Sequence, residues 1–145
     1  MLPAHLTRAA VRVLDWLADK TLPPEKTPPH QRLGRQGEED AYFHLRKLGY
    51  VMVARNFRSP HYRGEIDLIA WHKNILCFIE VKTRTSADIK PAEAAVDRAK
   101  LRELARVAHD YLRRLPPSCQ FRFDTVSVYY GASNLPRFEL FQDAS

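Results

Sequence analysis

Cysteine is scarce in this 145-residue chain: only Cys77 and Cys119 occur, too few and too far apart to frame a disulfide scaffold or a thiolate metal site. A reducing cytoplasm is therefore the expected setting. Long apolar runs are missing as well, and no stretch approaches the roughly 20 residues that a membrane-crossing helix needs. The N-terminus scatters Arg8, Arg12, Asp15 and Asp19 where a signal peptide would carry a basic start and an apolar middle. Neither a membrane partner nor a signal peptide is expected. Acidic residues are the minority, 17 against 23 Lys and Arg, for a formal charge of +6. That balance suits a polyanionic partner without demanding one, since many proteins carry as much charge for solubility alone. Internal repeats are absent. What remains is one domain's worth of chain with a 45% hydrophobic content that excludes wholesale disorder.

The most informative stretch puts charge where strands should be apolar. Gly64-Glu65-Ile66-Asp67-Leu68-Ile69-Ala70-Trp71 and Leu76-Cys77-Phe78-Ile79-Glu80-Val81-Lys82 are rich in β-branched and aromatic residues, and the polar His72-Lys73-Asn74 between them reads as a hairpin turn. A turn of even length places Trp71 opposite Leu76, Ile69 opposite Phe78, Asp67 opposite Glu80 and Glu65 opposite Lys82. Period-two alternation then gathers Glu65, Asp67, Glu80 and Lys82 on one face and leaves Ile66, Leu68, Ala70, Cys77, Ile79 and Val81 on the other. Opposed carboxylates destabilise a sheet unless something positive lies between them. A divalent metal ion would serve. The competing reading is that these are solvated rim charges, but the apolar residues around them suggest a sheet covered on both sides, with the charges at the edge of its core.

The flanking elements follow from periodicity. Residues His5–Ala18 form a short amphipathic helix with Leu6, Ala10, Val13 and Leu17 on one side, and the prolines 23, 24, 28 and 29 read as an extended linker. This arm, residues 1–33, is either loosely docked or a partner or homodimer contact made by Trp16 and Leu17. A second helix over Leu33–Leu48 buries Ala41, Leu45 and Leu48, with Phe43 or Tyr42 beside them, and stops at Gly49. Its Glu38, Glu39 and Asp40 fall in the expected first turn, where carboxylates complement the helix dipole. Val51–Phe57 is a strand. The loop from Arg58 to Gly64 interleaves Arg58 and Arg63 with His61 and Tyr62, a composition suited to a phosphate backbone. Lys90-Pro91 opens a long helix to Leu115 with a stripe of Leu101, Leu104, Ala108, Tyr111 or Leu112, and Leu115. Its opposite face, with Arg98, Lys100, Arg102, Arg106, Arg113 and Arg114, reads as solvated, Lys100 being the exception to test. Strands over Phe121–Tyr130 and Phe138–Phe141 close the chain. The order α-β-β-β-α-β-β implies an α/β domain over residues 34–145, a mixed central sheet with helices on both faces.

Taken together, Gly34-x-x-Gly37-Glu38, Leu48-Gly49-Tyr50, Arg55-Asn56-x-Arg58, Gly64 to Ile69, Glu80-Val81-Lys82 with Arg84, Ala92-Glu93-Ala94, Val96-Asp97 with Lys100, and Arg122-Phe123-Asp124 resemble the PD-(D/E)XK nucleases, in their YraN-like, endonuclease-like branch. Holliday-junction resolvases are related in pattern. A bare D…ExK pattern is common by chance, whereas this ordered set, from about Gly34 to Asp124, is specific.

The resemblance implies a restriction-endonuclease-like core and Mg²⁺- or Mn²⁺-dependent hydrolysis of DNA, branched DNA included. Asp67, Glu80, the Val81 carbonyl and Glu38 would hold the metal, hard oxygens of the kind Mg²⁺ prefers. Lys82 would act on the attacking water or the phosphate, and Glu65 would steady Lys82 or assist the metal. Arg55, Arg58, Arg63, Arg84 and Lys100 would contact DNA. Two other classes compete: a nucleic-acid-binding module that keeps the fold but cleaves little or nothing, and a protein-docking factor that uses its N-terminal helix.

Overall fold

The computed structural model of the chain describes residues 28–85, 98–133 and 135–143. The expected helix His5–Ala18 with Trp16 and Leu17, most of the proline-rich linker, and the segment Lys90–Asp97 expected to open the long helix lie outside the described residues. Backbone contacts divide the chain into two units, residues 1–33 and residues 34–145, and the sheet lies wholly in the second. Among the described residues no helix is long and apolar enough to cross a membrane.

The elements run α1 (Pro29–Lys47), β1 (Val51–Arg58), β2 (Glu65–His72), β3 (Ile75–Thr85), α2 (Arg98–Leu112), β4 (Gln120–Tyr130) and β5 (Arg137–Phe141). The strands form one five-stranded sheet in the order β1-β2-β3-β4-β5. Only β3 and β4 are parallel, as expected of the one neighbouring pair with a helix rather than a short turn between its strands. This is the mixed α/β arrangement the periodicity implies.

The hairpin adopts the expected register. Trp71 pairs with Leu76, Ile69 with Phe78 and His72 with Ile75, so the turn is Lys73-Asn74. Lys73 sits at φ 55°, the left-handed value such two-residue turns demand. Each sheet face carries one core. On one side Leu68, Ala70, Cys77, Ile79, Val126 and Val128 pack with Ala41 and Leu45 of α1. On the other Ile69, Leu76 and Phe78 pack with Leu104, Val107 and Ala108 of α2.

Four local expectations need correction. First, α1 begins at Pro29 rather than Leu33. Proline's fixed φ suits a first helical residue, whose N–H needs no partner, and the Pro28 carbonyl accepts from Gln31 N at 2.9 Å. Glu38, Glu39 and Asp40 therefore lie in mid-helix, where the dipole argument loses its force, and the first turn contains no acid. Second, Leu48 is exposed while Tyr50 is buried in the α1 core, because the helix stops at Lys47 and the turn through Gly49 (φ 94°) redirects the chain. Third, α2 ends at Leu112, three residues short of the expected Leu115, in i→i+3 bonds from Arg114 N to Tyr111 O and from Leu115 N to Leu112 O. Pro116 disfavours a helical residue before it.

Fourth, Ile66 does not share a face with Leu68. It packs with Ile69 in the α2 core, just as Ala54 and Phe57, also three residues apart, both do. The cause lies in β1: Asn56 has φ 49°, a left-handed conformation that breaks strand alternation at its position, which is next to Asp67 in the β1–β2 register.

Gly37 is buried on α1, and a Cβ there would collide with Thr83 Oγ1 and lie 3.1 Å from Thr83 Cβ on β3. The Gly37→Ala protein should lose about 1–2 kcal/mol in urea unfolding, since overpacking outweighs the roughly 1 kcal/mol helix-propensity gain. Adding Thr83→Ala, which removes the colliding oxygen, should recover most of that loss. Equal midpoints for wild type and Gly37→Ala would show that α1 does not seat closely on β3.

Candidate active site

Past Leu68↔Ile79 the β2–β3 ladder stops, so the expected pairs Asp67↔Glu80 and Glu65↔Lys82 do not form. Each strand keeps its other neighbour: Arg58 still pairs with Glu65, and Glu80, Val81 and Lys82 with Thr125, Val126 and Ser127. The sheet thus forks between its second and third strands. Two causes act together. Opposed carboxylates repel, and Asp67 Oδ2 accepts the Val81 N–H at 2.8 Å, so that a side chain holds an amide that a continuing ladder would give to backbone.

The fork opens a cavity of about 120 Å³ whose polar lining includes Glu65, Asp67, Glu80, Lys82, Lys100 and Asp124. Its apolar wall, from Phe78, Phe123, Leu101 and Leu104, belongs to β3, β4 and α2. Burial pushes the Asp67 carboxyl up to about 7, and the neighbouring Glu38, Glu80 and Glu65 push the same way against the opposing Val81 hydrogen bond. Glu38 is likewise raised, first by burial and then by Glu65, with Arg55 and Arg35 opposing. Crowded carboxylates in a part-buried cleft mark a candidate functional site, because the ion-pair needs of a stable core do not call for them.

The chain supplies some positive charge of its own. Lys100, expected among the phosphate contacts, forms an ion pair with Glu80, whose side chain is only 14% exposed. Burial works against the Lys100 ammonium, but the hydrogen bond and field of Glu80, with the fields of Asp67 and Glu103, hold its pKa above the ordinary value. Arg58 Nε donates to Glu65 Oε2 at 2.6 Å, so Glu65 is held by Arg58. With its amide nitrogen turned toward the carboxylates, Asn56 donates to Glu65 Oε1 at 3.2 Å and to Glu38 Oε2 at 3.3 Å. Among the described residues no three His, Cys, Asp or Glu side chains converge as a ready metal cage. In this conformation Glu80, Glu65 and one Asp67 oxygen are instead engaged by Lys100, Arg58 and the Val81 amide.

The remaining expected residues are dispersed. Arg55 lies with its guanidinium 5.1 Å from the centroid of the Tyr42 ring and acts electrostatically on Glu38. Arg63 is exposed in the loop before β2, and Arg84 is part-buried near the end of β3, level with Tyr129. Asn56 and the Lys100–Glu80 pair escape sequence reasoning. For Asn56 the available signal is its residue type, the commonest after glycine to accept a left-handed backbone. For Lys100 it is the position, since a contact between a helix and a strand 20 residues earlier leaves no local trace.

Residues 37–128 match the family described as "Uncharacterised protein family UPF0102". The chain belongs to that family. It is 54% identical to a UPF0102 protein of Koribacter versatilis over 123 residues, covering 85% of this chain and 83% of the relative. A UPF0102 protein of Solibacter usitatus is 46% identical over 112 residues, 77% of this chain and 83% of its own. A third, from Symbiobacterium thermophilum, is 45% identical over 117 residues, 79% of this chain and 96% of its own. The matched family segment holds Glu38, Asp67, Glu80, Lys82 and Lys100, and so takes in the whole fork.

Proposed function

We propose that this UPF0102 protein is a metal-dependent endonuclease of the PD-(D/E)XK type that hydrolyses DNA phosphodiester bonds, branched DNA among its substrates. The observation that carries the reading is the fork itself, where Asp67, Glu80 and Lys82 line one cavity. The donor set has the chemistry a hard divalent ion takes: it consists of carboxylate oxygens, and burial first, then the fields of Glu38, Glu80 and Glu65, raise the Asp67 carboxyl to about 7. Asp67, Glu80, the Val81 carbonyl and Glu38 would hold Mg²⁺ or Mn²⁺. The ion, when bound, lowers the pKa of water and stabilises charge developing on the phosphate.

The chain's own side chains do the rest. Lys82 lines the cavity with Asp67 and Glu80, and its ammonium is suited to the attacking water or the scissile phosphate. Arg58, and Asn56 with its amide nitrogen turned toward the carboxylates, hold Glu65 in place by hydrogen bonds. The apolar wall formed by Phe78, Phe123 and Leu104 excludes water from one side of the cavity and strengthens every charge interaction in it.

One observation favours the rival reading, a binding module with no turnover. Lys100 already neutralises Glu80, as a protein would arrange it were no metal to arrive. The two readings separate on incubation of purified protein with supercoiled, linear, single-stranded and four-way-junction DNA. Mg²⁺- or Mn²⁺-dependent cutting that chelator abolishes is expected. Glu80→Ala should reduce it by about 10³-fold or more while DNA binding persists, because a ligand is lost together with a repelling charge. Lys82→Ala should also abolish cutting yet leave Mn²⁺ binding by calorimetry largely intact. Wild type and Glu80→Ala cutting equally in the same metal would reveal a contaminating nuclease and favour the binding module.

A further inference from the structure

Beside the fork lies a second, larger depression of about 560 Å³, between residues 59–64 and the exposed side of α2. Its charged wall is Arg63, Arg102 and Arg106, with His61 and a single carboxylate, Glu103. All three arginines are exposed, and among the described residues none has an ion-pair or hydrogen-bond partner. Tyr62, 41% exposed, completes the rim, with His61 set edge-on 6.5 Å away.

The depression is built rather than incidental. Asp110 on α2 accepts from Ser59 Oγ at 2.7 Å and lies 3.5 Å from His61 Nδ1, while His61 N donates to Ser59 Oγ at 3.0 Å. At the other end Gly64, with φ 107°, lies against Glu103, whose Cγ would be 3.2 Å from any Cβ added there. The segment is thus fastened to α2 at both ends, leaving Tyr62 and Arg63 facing the helix's arginines across the gap. It is built on the same two elements as the fork, the segment that runs into β2 and the helix α2, with Arg63 two residues before Glu65.

We infer that this groove binds a single-stranded nucleic-acid segment, its phosphates on Arg63, Arg102 and Arg106 and an unpaired base stacked on Tyr62, and leads it toward the fork. Three guanidiniums against one carboxylate complement a phosphate chain, and their planar forks suit its paired non-bridging oxygens. An exposed tyrosine offers a stacking face that only an unpaired base can use. The volume is that of a small-molecule pocket, room for roughly one or two nucleotides rather than the flank of a duplex. The inference rests on the nucleic-acid reading above and narrows it to substrates with an unpaired strand at or beside the cut.

The test is fluorescence anisotropy in chelator, so that nothing is cut, with a labelled oligothymidylate and a duplex of equal length. Wild type, Tyr62→Ala, Tyr62→Phe and Arg102→Glu/Arg106→Glu are compared, with Mn²⁺ calorimetry on each protein as a check on the fork. Arg102→Glu/Arg106→Glu should bind the single strand at least 10-fold more weakly, with a log–log salt slope shallower by about 1.4 for two lost contacts. Tyr62→Ala should weaken the single strand about fivefold or more, Tyr62→Phe should restore it, and the duplex should change far less. Unchanged single-strand affinity in both Tyr62→Ala and the arginine variant, in a wild type that binds and cuts DNA, overturns the groove and leaves the nuclease reading standing. An equal loss for duplex and single strand overturns the single-strand assignment. Wild type that binds neither in chelator overturns the groove, and the absence of Mg²⁺- or Mn²⁺-dependent cutting overturns the nuclease reading with it.

Discussion

Asp67→Asn should give a protein that melts several degrees higher than wild type in chelator and cuts DNA at least about 10³-fold more slowly. Both effects come from the same crowding. Folding brings Asp67 into a part-buried cleft beside Glu38, Glu80 and Glu65 and raises its carboxyl from 3.8 to about 7. At about 1.36 kcal/mol per unit that shift sets an upper bound of roughly 4 kcal/mol on the cost of ionising it, and rearrangement of the neighbouring carboxylates should leave about 1–3 kcal/mol to be recovered. Asparagine keeps an oxygen for the Val81 N–H, so the fork retains its bridging bond. The sign follows from linkage. The folded protein holds the Asp67 proton up to about pH 7 whereas the unfolded chain releases it near 3.8, so the metal-free wild type loses stability as pH rises across that interval and is level above it. Asp67→Asn has no such proton and should show a correspondingly flatter melting profile. A mutant less stable than wild type at pH 8 in chelator would mean that the carboxylate is compensated inside the fold and carries no functional strain.

Asp124→Ala should be the most destabilising single change on β4, lowering stability by about 3–5 kcal/mol, much of the 5–15 kcal/mol a domain commonly has. Asp124 is 1% exposed. It accepts from Arg122 Nε at 2.8 Å, from Tyr50 Oη at 3.2 Å and from the Asp143 amide at 3.0 Å. Arg122 reaches on to Tyr50 Oη and His72 Nδ1, both at 3.1 Å, and the Tyr50 and His72 rings stack 4.3 Å apart. Gln142 donates to the same Tyr50 oxygen at 3.0 Å. The carboxylate thus ties together the end of α1, the hairpin, β4 and the chain after β5. Removing it strands a guanidinium that is only 16% exposed, which costs more than the lost bonds themselves. Urea unfolding is the measure, and Asp124→Asn, which keeps acceptors for Tyr50 and Asp143, should fall between. A midpoint for Asp124→Ala within experimental error of wild type would show that water replaces the network at no cost.

What the sequence by itself determined were the features carried by period and chemistry. Alternation set the hairpin register, because a one-residue slip would turn Leu68, Ala70, Cys77 and Ile79 out of the core they share. Residue type singled out Asp67 and Glu80, since carboxylates amid apolar strand residues have few structural uses. The long helix between β3 and β4 made their parallel pairing the natural one. What only the tertiary structure decided depends on partners far away in the chain, or on one residue's backbone conformation. The fork exists because the Asp67 side chain takes an amide 14 residues later. Ile66 changes face because Asn56, on the neighbouring strand, adopts a left-handed φ. Lys100 meets Glu80, and Arg122-Phe123-Asp124 becomes a buried tie, because packing α2 and closing the sheet brought those charges to counterions that no local spacing reveals. Periodicity reports which face a residue occupies. Which charge it meets there is set by the fold.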